Sequence, residues 1–99
     1  MTTVALVVKL TAREGLEEEV AQFLTGAVDL ANQETGTPVW FALRTDVSTF
    51  WIVDAFPGEQ ERAAHLDGPI AAALMDNADR LLSVPPEINS ADVLASKVP

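Results

Sequence analysis

The sequence predicts an α+β fold of the split βαβ (ferredoxin-like) type, a four-stranded antiparallel sheet with helices on one face. The main observation is the order of apolar patterns along the chain: strand, helix, strand, strand, helix pair, strand. A second is the length, because 99 residues suffice for one domain, residues 1–99, with one modest core. A third is that no linker, internal repeat or low-complexity stretch interrupts this order.

The first strand is predicted over residues 3–10, TVALVVKL, because branched apolar residues fill it. A helix is predicted to begin at Thr11 or Arg13 and to end at Gly36, which suits a C-terminal cap, since Pro38 bars continuation. Its apolar stripe recurs at spacings of three and four and comprises Leu16, Val20, Phe23, Leu24, Ala27, Val28 and Ala31.

A β-hairpin is predicted from residues 39–43 and 50–56, which are aromatic and branched, with polar residues 44–49 between them. Strand alternation divides these side chains between two faces. One face holds Trp40, Ala42, Phe50, Ile52, Asp54 and Phe56, and the other holds Val39, Phe41, Leu43, Trp51, Val53 and Ala55. Both faces are apolar, yet the helices can cover only one. We therefore expect a homodimer through the other sheet face, with Trp51 in the interface.

The second half of the chain predicts two helices and a strand. The first helix covers residues 59–66, and the second begins at Pro69, with Asp67 or Gly68 as its cap. The buried stripe of the second helix comprises Ile70, Leu74, Ala78, Leu81 and Leu82. Two prolines at 85–86 end it, and residues 88–98 are predicted to form the last strand.

Composition narrows the classes of function. A formal net charge of −9 repels phosphate backbones and acidic membrane surfaces, so neither nucleic acid nor a membrane is an expected partner. One histidine and no cysteine leave too few ligands for a transition-metal site, and neither a glycine-rich phosphate loop nor a Gly-x-Ser-x-Gly elbow is present. The absence of cysteine and of a signal-like N-terminus makes the cytoplasm the expected location.

Five short motifs carry a resemblance that spans essentially the whole chain. In order they are Glu34-Thr35-Gly36-Thr37, the aromatic strand at Trp40, Phe50-x-x-x-Asp54-x-Phe56, Ala63-Ala64-His65-Leu66, and Asp92-Val93-Leu94-Ala95-Ser96-Lys97. In this order and spacing the chain resembles the antibiotic biosynthesis monooxygenase domain family, which includes small quinol and anthrone oxygenases.

The resemblance implies a dimeric α+β barrel with a pocket between helices and sheet, bordered by Trp40, Asp54, Phe56 and His65. It also implies a cofactor-independent monooxygenase that combines dioxygen with a small aromatic or quinol substrate. The chain departs from the haem-degrading branch of that family, which needs an asparagine in the first strand and a tryptophan at the position of Phe56. Haem degradation is therefore disfavoured.

His65 and Asp54 are the candidate catalytic residues. Histidine, with an ordinary pKa of about 6.5, can accept a proton near neutral pH. Its plainer role is a hydrogen bond from a helix end to backbone or solvent. Asp54 stands alone among apolar side chains, where a carboxylate needs a partner, so it could orient His65 or act as a base. Its plainer roles are a salt bridge to Arg44 or Arg62, or exposure at a strand end.

The candidate substrate-binding residues share a strand face with Asp54: Trp40, Phe50, Ile52 and Phe56. Tryptophans on a hairpin can stack on a flat substrate, but they also serve as ordinary core residues. Two other functions stay open on this scaffold. One is a non-catalytic dimer that binds a small molecule or acts as an interaction module, and the other is a cofactor-free isomerase or lyase.

Overall fold

A computed structural model describes residues 1–98 and contains seven elements. They are β1 (Val4–Thr11), α1 (Glu17–Gln33), β2 (Val39–Asp46), β3 (Thr49–Phe56), α2 (Glu59–Leu66), α3 (Pro69–Leu81) and β4 (Glu87–Asp92). The strands pair antiparallel in the order β2-β3-β1-β4. The predicted four-stranded split βαβ fold is confirmed, with the helices on one face of the sheet.

The core lies between that face and the helices. Alternate residues of β1 and β3 point into it because side chains of a strand alternate between faces. From the sheet come Leu6, Val8, Leu10, Phe50, Ile52 and Phe56, and from the helices Val20, Leu24, Leu74, Ala78 and Leu81. The predicted stripes therefore meet as expected, although Val28 on α1 stays 41% exposed.

The opposite face of the sheet has no cover among residues 1–98. Phe41 and Leu43 are 55% and 46% exposed there, and Val53 and Trp51 are half-buried beside them. The indole Nε1 of Trp51 donates a hydrogen bond to Thr45 Oγ1 at 3.0 Å. The predicted division of the hairpin between two faces is confirmed, and one apolar face is left open.

The predicted start of α1 at Thr11 or Arg13 is wrong. The chain there is tied to the end of α3 instead, because Ala12 forms a bridge with Leu82 and the Arg13 guanidinium donates to the Asp79 carbonyl. The turn that follows is completed by Gly15, whose φ of +88° suits a residue without a Cβ. The helix begins only at Glu17.

The end of α1 also differs from the prediction. The helix ends at Gln33, and Glu34 rather than Gly36 occupies the cap position, with an extended ψ of 111°. The early end directs the Glu34 side chain away from the helix, toward α2.

The last strand is shorter than the predicted 88–98. It ends at Asp92, followed by one further backbone bond from Val93 to Thr3. Its neighbour in the sheet, β1, begins at Val4, which pairs with Asp92, so residues 93–98 lie beyond the end of that strand. The hairpin, in contrast, reaches further into the polar segment, because Asp46 accepts a hydrogen bond from the Ser48 amide and closes a tight turn.

Arg62 on α2 connects the helical layer to two strands. Its side chain is buried, and Nη1 donates to the carbonyls of Ala5 on β1 at 3.1 Å and Ala91 on β4 at 3.2 Å. Glu59, one turn earlier, pairs with the rest of the guanidinium. The arginine thus holds α2 over the β1–β4 edge.

Arg62→Met is expected to lower the free energy of unfolding by about 2–3 kcal/mol, because the buried carbonyls lose a charged donor. The matched control is Arg80→Met, since Arg80 pairs with Glu19 at the surface and its loss should cost less than about 1 kcal/mol. Urea denaturation of the two variants measures both values. Equal losses would contradict the role given to Arg62.

Candidate functional site

An apolar cavity of about 110 Å³ lies between the sheet and α3. Its lining residues are Leu6, Val8, Ile52, Asp54, His65, Leu66, Ile70, Ala71, Leu74, Met75 and Ile88. Three of them, Leu66, Met75 and Ile88, are exposed and mark an apolar mouth between α3 and β4. Asp54 and His65 are the polar side chains of this lining. Any molecule in the cavity therefore meets hydrocarbon on most sides and these two groups at one end.

Asp54 is carried by β3 and is 1% exposed. Its Oδ2 lies 3.0 Å from Nε2 of His65, but neither carboxylate oxygen accepts an aligned hydrogen bond from the described part of the chain. The predicted alternatives, exposure or a salt bridge to an arginine, are wrong. Arg44 pairs with Glu18 at 2.9 Å, and Arg62 is held by Glu59 and backbone carbonyls. Asp54 thus keeps free acceptor capacity at the cavity wall.

His65 is the penultimate residue of α2 and is 7% exposed. Its Nδ1 lies 2.6 Å from Oε1 of Glu34, so the two ring nitrogens face two different carboxylates. The ring of Phe56 lies 5.2 Å from the imidazole, centre to centre, and supports it from the sheet. The plainer sequence-based role for His65, a hydrogen bond to backbone or solvent, does not describe this arrangement.

Glu34 is the site residue that the sequence analysis missed. It follows α1 directly, and its Oε1 also accepts a hydrogen bond from Thr37 Oγ1 at 2.8 Å. The segment Glu34–Thr37 carries part of the family resemblance, but the resemblance assigns Glu34 no role. The partner of its carboxylate lies 31 positions away, and no local pattern indicates it.

The pKa of His65 is raised above its ordinary value by its two neighbours. Burial alone lowers this pKa, but the contacts of Nε2 with Asp54 and of Nδ1 with Glu34, together with the negative charges of both carboxylates, outweigh it. The protonated ring therefore contributes stability that is fully present below about pH 6.5, the unfolded value, and is lost as pH rises through the higher folded value. A proton can pass from Asp54 through the His65 ring to Glu34, because each group can both accept and release a proton.

The other predicted substrate-binding residues divide between the cavity and the rest of the chain. Ile52 lines the cavity, and Phe56 is fully buried against His65. Phe50 instead lines a separate cleft of about 120 Å³ beside α1 and β2, with the Arg44 guanidinium 4.8 Å from its ring. Trp40 is half-buried, packs against the core and borders another cleft near the N-terminus. The structure therefore brings Asp54, His65, Ile52 and Phe56 together and sets Trp40 and Phe50 apart from the cavity.

Within residues 1–98, histidine, aspartate and glutamate form no cluster of three that could hold a metal ion. The two carboxylates beside His65 meet different ring nitrogens. No helix in this range combines the length and the apolar character that crossing a membrane requires.

One solved structure is similar to this chain in sequence as well as in fold. No protein-family model matches the sequence, and no curated protein does so either. The crystal structure of NE2512 from Nitrosomonas europaea, described as a protein of unknown function, is 54% identical and superimposes with a TM-score of 0.98. The match covers 100% of this chain and 96% of that chain. The chain belongs to the same family as NE2512.

More distant structures share the fold. A protein from Nitrosomonas europaea named "putative antibiotic biosynthesis monooxygenase" is 15% identical, with a TM-score of 0.83 over 93% of this chain and 99% of its own. One from Chloroflexus aurantiacus with the same name is 16% identical, with a TM-score of 0.76 over 98% of both chains. At such identities the likeness establishes the fold that the NE2512 family adopts, and no more.

Because His65 is the only histidine of the chain, its titration can be followed without ambiguity by NMR on protein without a histidine tag. We expect a titration midpoint above about 6.5 in the wild type and a lower one in Asp54→Asn, since the variant loses one of the charges that raise the pKa.

The control is Asp29→Asn, on the exposed surface of α1, which should leave the midpoint unchanged. A wild-type midpoint below 6.5 would mean that burial outweighs the two carboxylates, contrary to this account.

Proposed function

We propose that the protein is a cofactor-independent monooxygenase that oxidises a small quinol or similar electron-rich phenolic substrate. The observation that carries this proposal is the Asp54–His65 pair at the end of the apolar cavity, 3.0 Å apart and nearly shielded from water. The pair places two proton acceptors in a cavity whose other walls are hydrocarbon and would pack against an aromatic ring.

Deprotonation is the step that the pair would assist. The oxygens of Asp54 without aligned partners can accept a hydrogen bond from a substrate hydroxyl, and His65 can share the proton. The resulting phenolate is electron-rich enough to give an electron to dioxygen, so the substrate supplies the electrons itself. The protein supplies orientation, a base and exclusion of water.

The overall reaction balances without a further reductant. A hydroquinone and one dioxygen give a hydroxyquinone and one water. One oxygen atom forms the new carbon–oxygen bond, the other leaves as water, and all four electrons that dioxygen receives come from the ring. The proton taken from the substrate hydroxyl returns when the peroxide oxygen leaves as water.

The size of the cavity favours a single-ring substrate. Its 110 Å³ is close to the roughly 150 Å³ of an engineered cavity that holds benzene. A substituted ring would fill it and extend through the mouth at Leu66, Met75 and Ile88. The fold shared with two proteins that carry the name "putative antibiotic biosynthesis monooxygenase" is consistent with the proposal.

A second candidate function is binding of a small molecule without catalysis. It is favoured by the lining, because a mostly apolar pocket with a few polar groups is typical of small-molecule sites whether or not they catalyse a reaction. A cofactor-free isomerase is the third candidate, since the Asp54–His65 pair could shuttle a proton without dioxygen. Product analysis with and without oxygen separates all three.

The wild type should consume dioxygen with a monocyclic hydroquinone, and His65→Ala should lower kcat/KM by about 100-fold or more, the usual worth of a positioned proton acceptor. An oxygen electrode measures the rate, and labelled dioxygen with mass spectrometry shows one labelled atom in the product.

Asp29→Asn serves again as the exposed control and should keep the wild-type rate. Equal rates in the wild type and His65→Ala would remove His65 from the mechanism. Binding without turnover would contradict the monooxygenase and support the non-catalytic function. Turnover without oxygen would support the isomerase instead.

We also propose that two copies associate through the open sheet face in the cytoplasm. Phe41, Leu43, Trp51 and Val53 form an apolar surface there that no helix covers, and a two-fold pairing would bury this surface on both copies at once. The arrangement would leave the cavity on the other face of the sheet accessible.

Sedimentation equilibrium should give twice the chain mass of 10.6 kDa for the wild type. Phe41→Glu should give the single-chain mass, since the variant places a charge in the apolar contact. Val28→Glu, an equally large change on the outer side of α1, should remain dimeric. A wild type that sediments as a monomer would refute the proposed assembly.

A further inference from the structure

A polar groove of about 520 Å³ lies on the other side of His65 from the apolar cavity. It opens between the end of α1 and α2, and its polar lining includes Gln33, Glu34, Gln60 and Glu61. His65 lines both the groove and the cavity, so its ring lies between a polar space and an apolar one whose mouth is at Leu66, Met75 and Ile88. The two ring nitrogens follow this division, because Nε2 meets Asp54 and Nδ1 meets Glu34.

Glu34 is the group that connects the ring to the groove. Its side chain is 17% exposed, with Oε1 fixed by Nδ1 at 2.6 Å and by the Thr37 hydroxyl at 2.8 Å. Its Oε2 is buried and has no hydrogen-bond partner in residues 1–98, so it can still accept a proton. The remaining lining of the cavity is apolar, so no side chain there other than Asp54 and His65 can pass on a proton.

We propose that Glu34 is a positioning residue that takes the substrate proton from His65 toward the outer groove and returns it when the peroxide oxygen leaves. This inference rests on the proposed function, because a relay needs a substrate that gives up a proton. It gives Glu34 a role, and the proton a route, that neither the family resemblance nor the sequence pattern supplies.

The transfer conserves protons and charge. The substrate O–H bond breaks, and Asp54 passes the proton to Nε2 of His65 as Nδ1 gives up its own proton to Glu34. The substrate is left as an anion that reacts with dioxygen, the oxidant of the proposed reaction. The reverse sequence supplies the proton with which water departs, so each group ends in its starting state.

The acidic groups around His65 come from three elements. Asp54 faces the ring from β3 and Glu34 from the end of α1, while Glu61 on α2 lines the same groove without contacting the ring. Arg62 is the one lysine or arginine on α2, and it is held by Glu59 and by backbone carbonyls. Glu61 is therefore a matched control, an acid in the groove that cannot take the proton of Nδ1 directly.

The test compares Glu34→Gln, Glu34→Ala and Glu61→Gln with the wild type in the oxygen-uptake assay across pH. We expect Glu34→Gln to lower kcat by about 10-fold or more, less than loss of the proton acceptor itself, with KM little changed. Its pH profile should shift to lower pH, since the His65 ring loses a negative neighbour. Formate added to Glu34→Ala should restore kcat, because the open groove admits a small carboxylate to the vacated position. Glu61→Gln should behave as the wild type.

An active wild type with equal kcat in Glu34→Gln and Glu61→Gln would overturn the relay and leave the proposed function intact. A loss in Glu34→Ala that formate does not restore, with a His65 titration like that of the wild type, would make Glu34 merely structural and also overturn it. A wild type that consumes no dioxygen would refute the proposed function, and the relay with it. Circular dichroism of each variant establishes that it is folded before these rates are compared.

Discussion

The site depends on one constraint, the burial of the Asp54 carboxylate inside an otherwise apolar layer. A carboxylate that is 1% exposed needs a partner, and the structure provides the imidazole of His65 at 3.0 Å rather than an arginine. The pairing of Asp54 with His65 determines how the neighbouring elements are placed. Phe56 supports the ring, α2 must end where His65 reaches β3, and α1 must end early enough for Glu34 to meet the other ring nitrogen.

The same arrangement links fold and chemistry. The helix-covered face of the sheet supplies both the hydrocarbon walls of the cavity and, through a single interruption of the apolar pattern, the polar end of that cavity. Hydrophobic burial positions the elements, and the polar groups then have little freedom to move. The Arg62 bridge from α2 to β1 and β4 adds to this rigidity without competing for Asp54.

Much of the fold could be predicted because it follows local periodicity. The helix at 59–66, Pro69 at the start of α3 and the two-faced hairpin need no knowledge of distant contacts. The errors lie where tertiary contacts determine the bounds of an element: Arg13 is held by α3, and β4 stops where β1 begins.

For the site, Asp54 and His65 could be found as isolated polar residues, but their pairing and the role of Glu34 depend on contacts across the fold. Trp40 and Phe50 lie on the same sheet face as Asp54 but line other clefts. Strand alternation therefore predicts the face of a side chain, but not the cavity that it lines.

The proposed oxidation requires that a phenolic substrate binds in the cavity beside Asp54 and His65. A crystal structure of the protein with a monocyclic hydroquinone, prepared without oxygen, would show where the ring lies. We expect it among Leu6, Ile52 and Leu74, with a hydroxyl oxygen about 2.5–3.0 Å from a carboxylate oxygen of Asp54. A hydroquinone bound instead in the cleft beside Trp40, or an empty cavity at saturating ligand, would contradict the proposed oxidation.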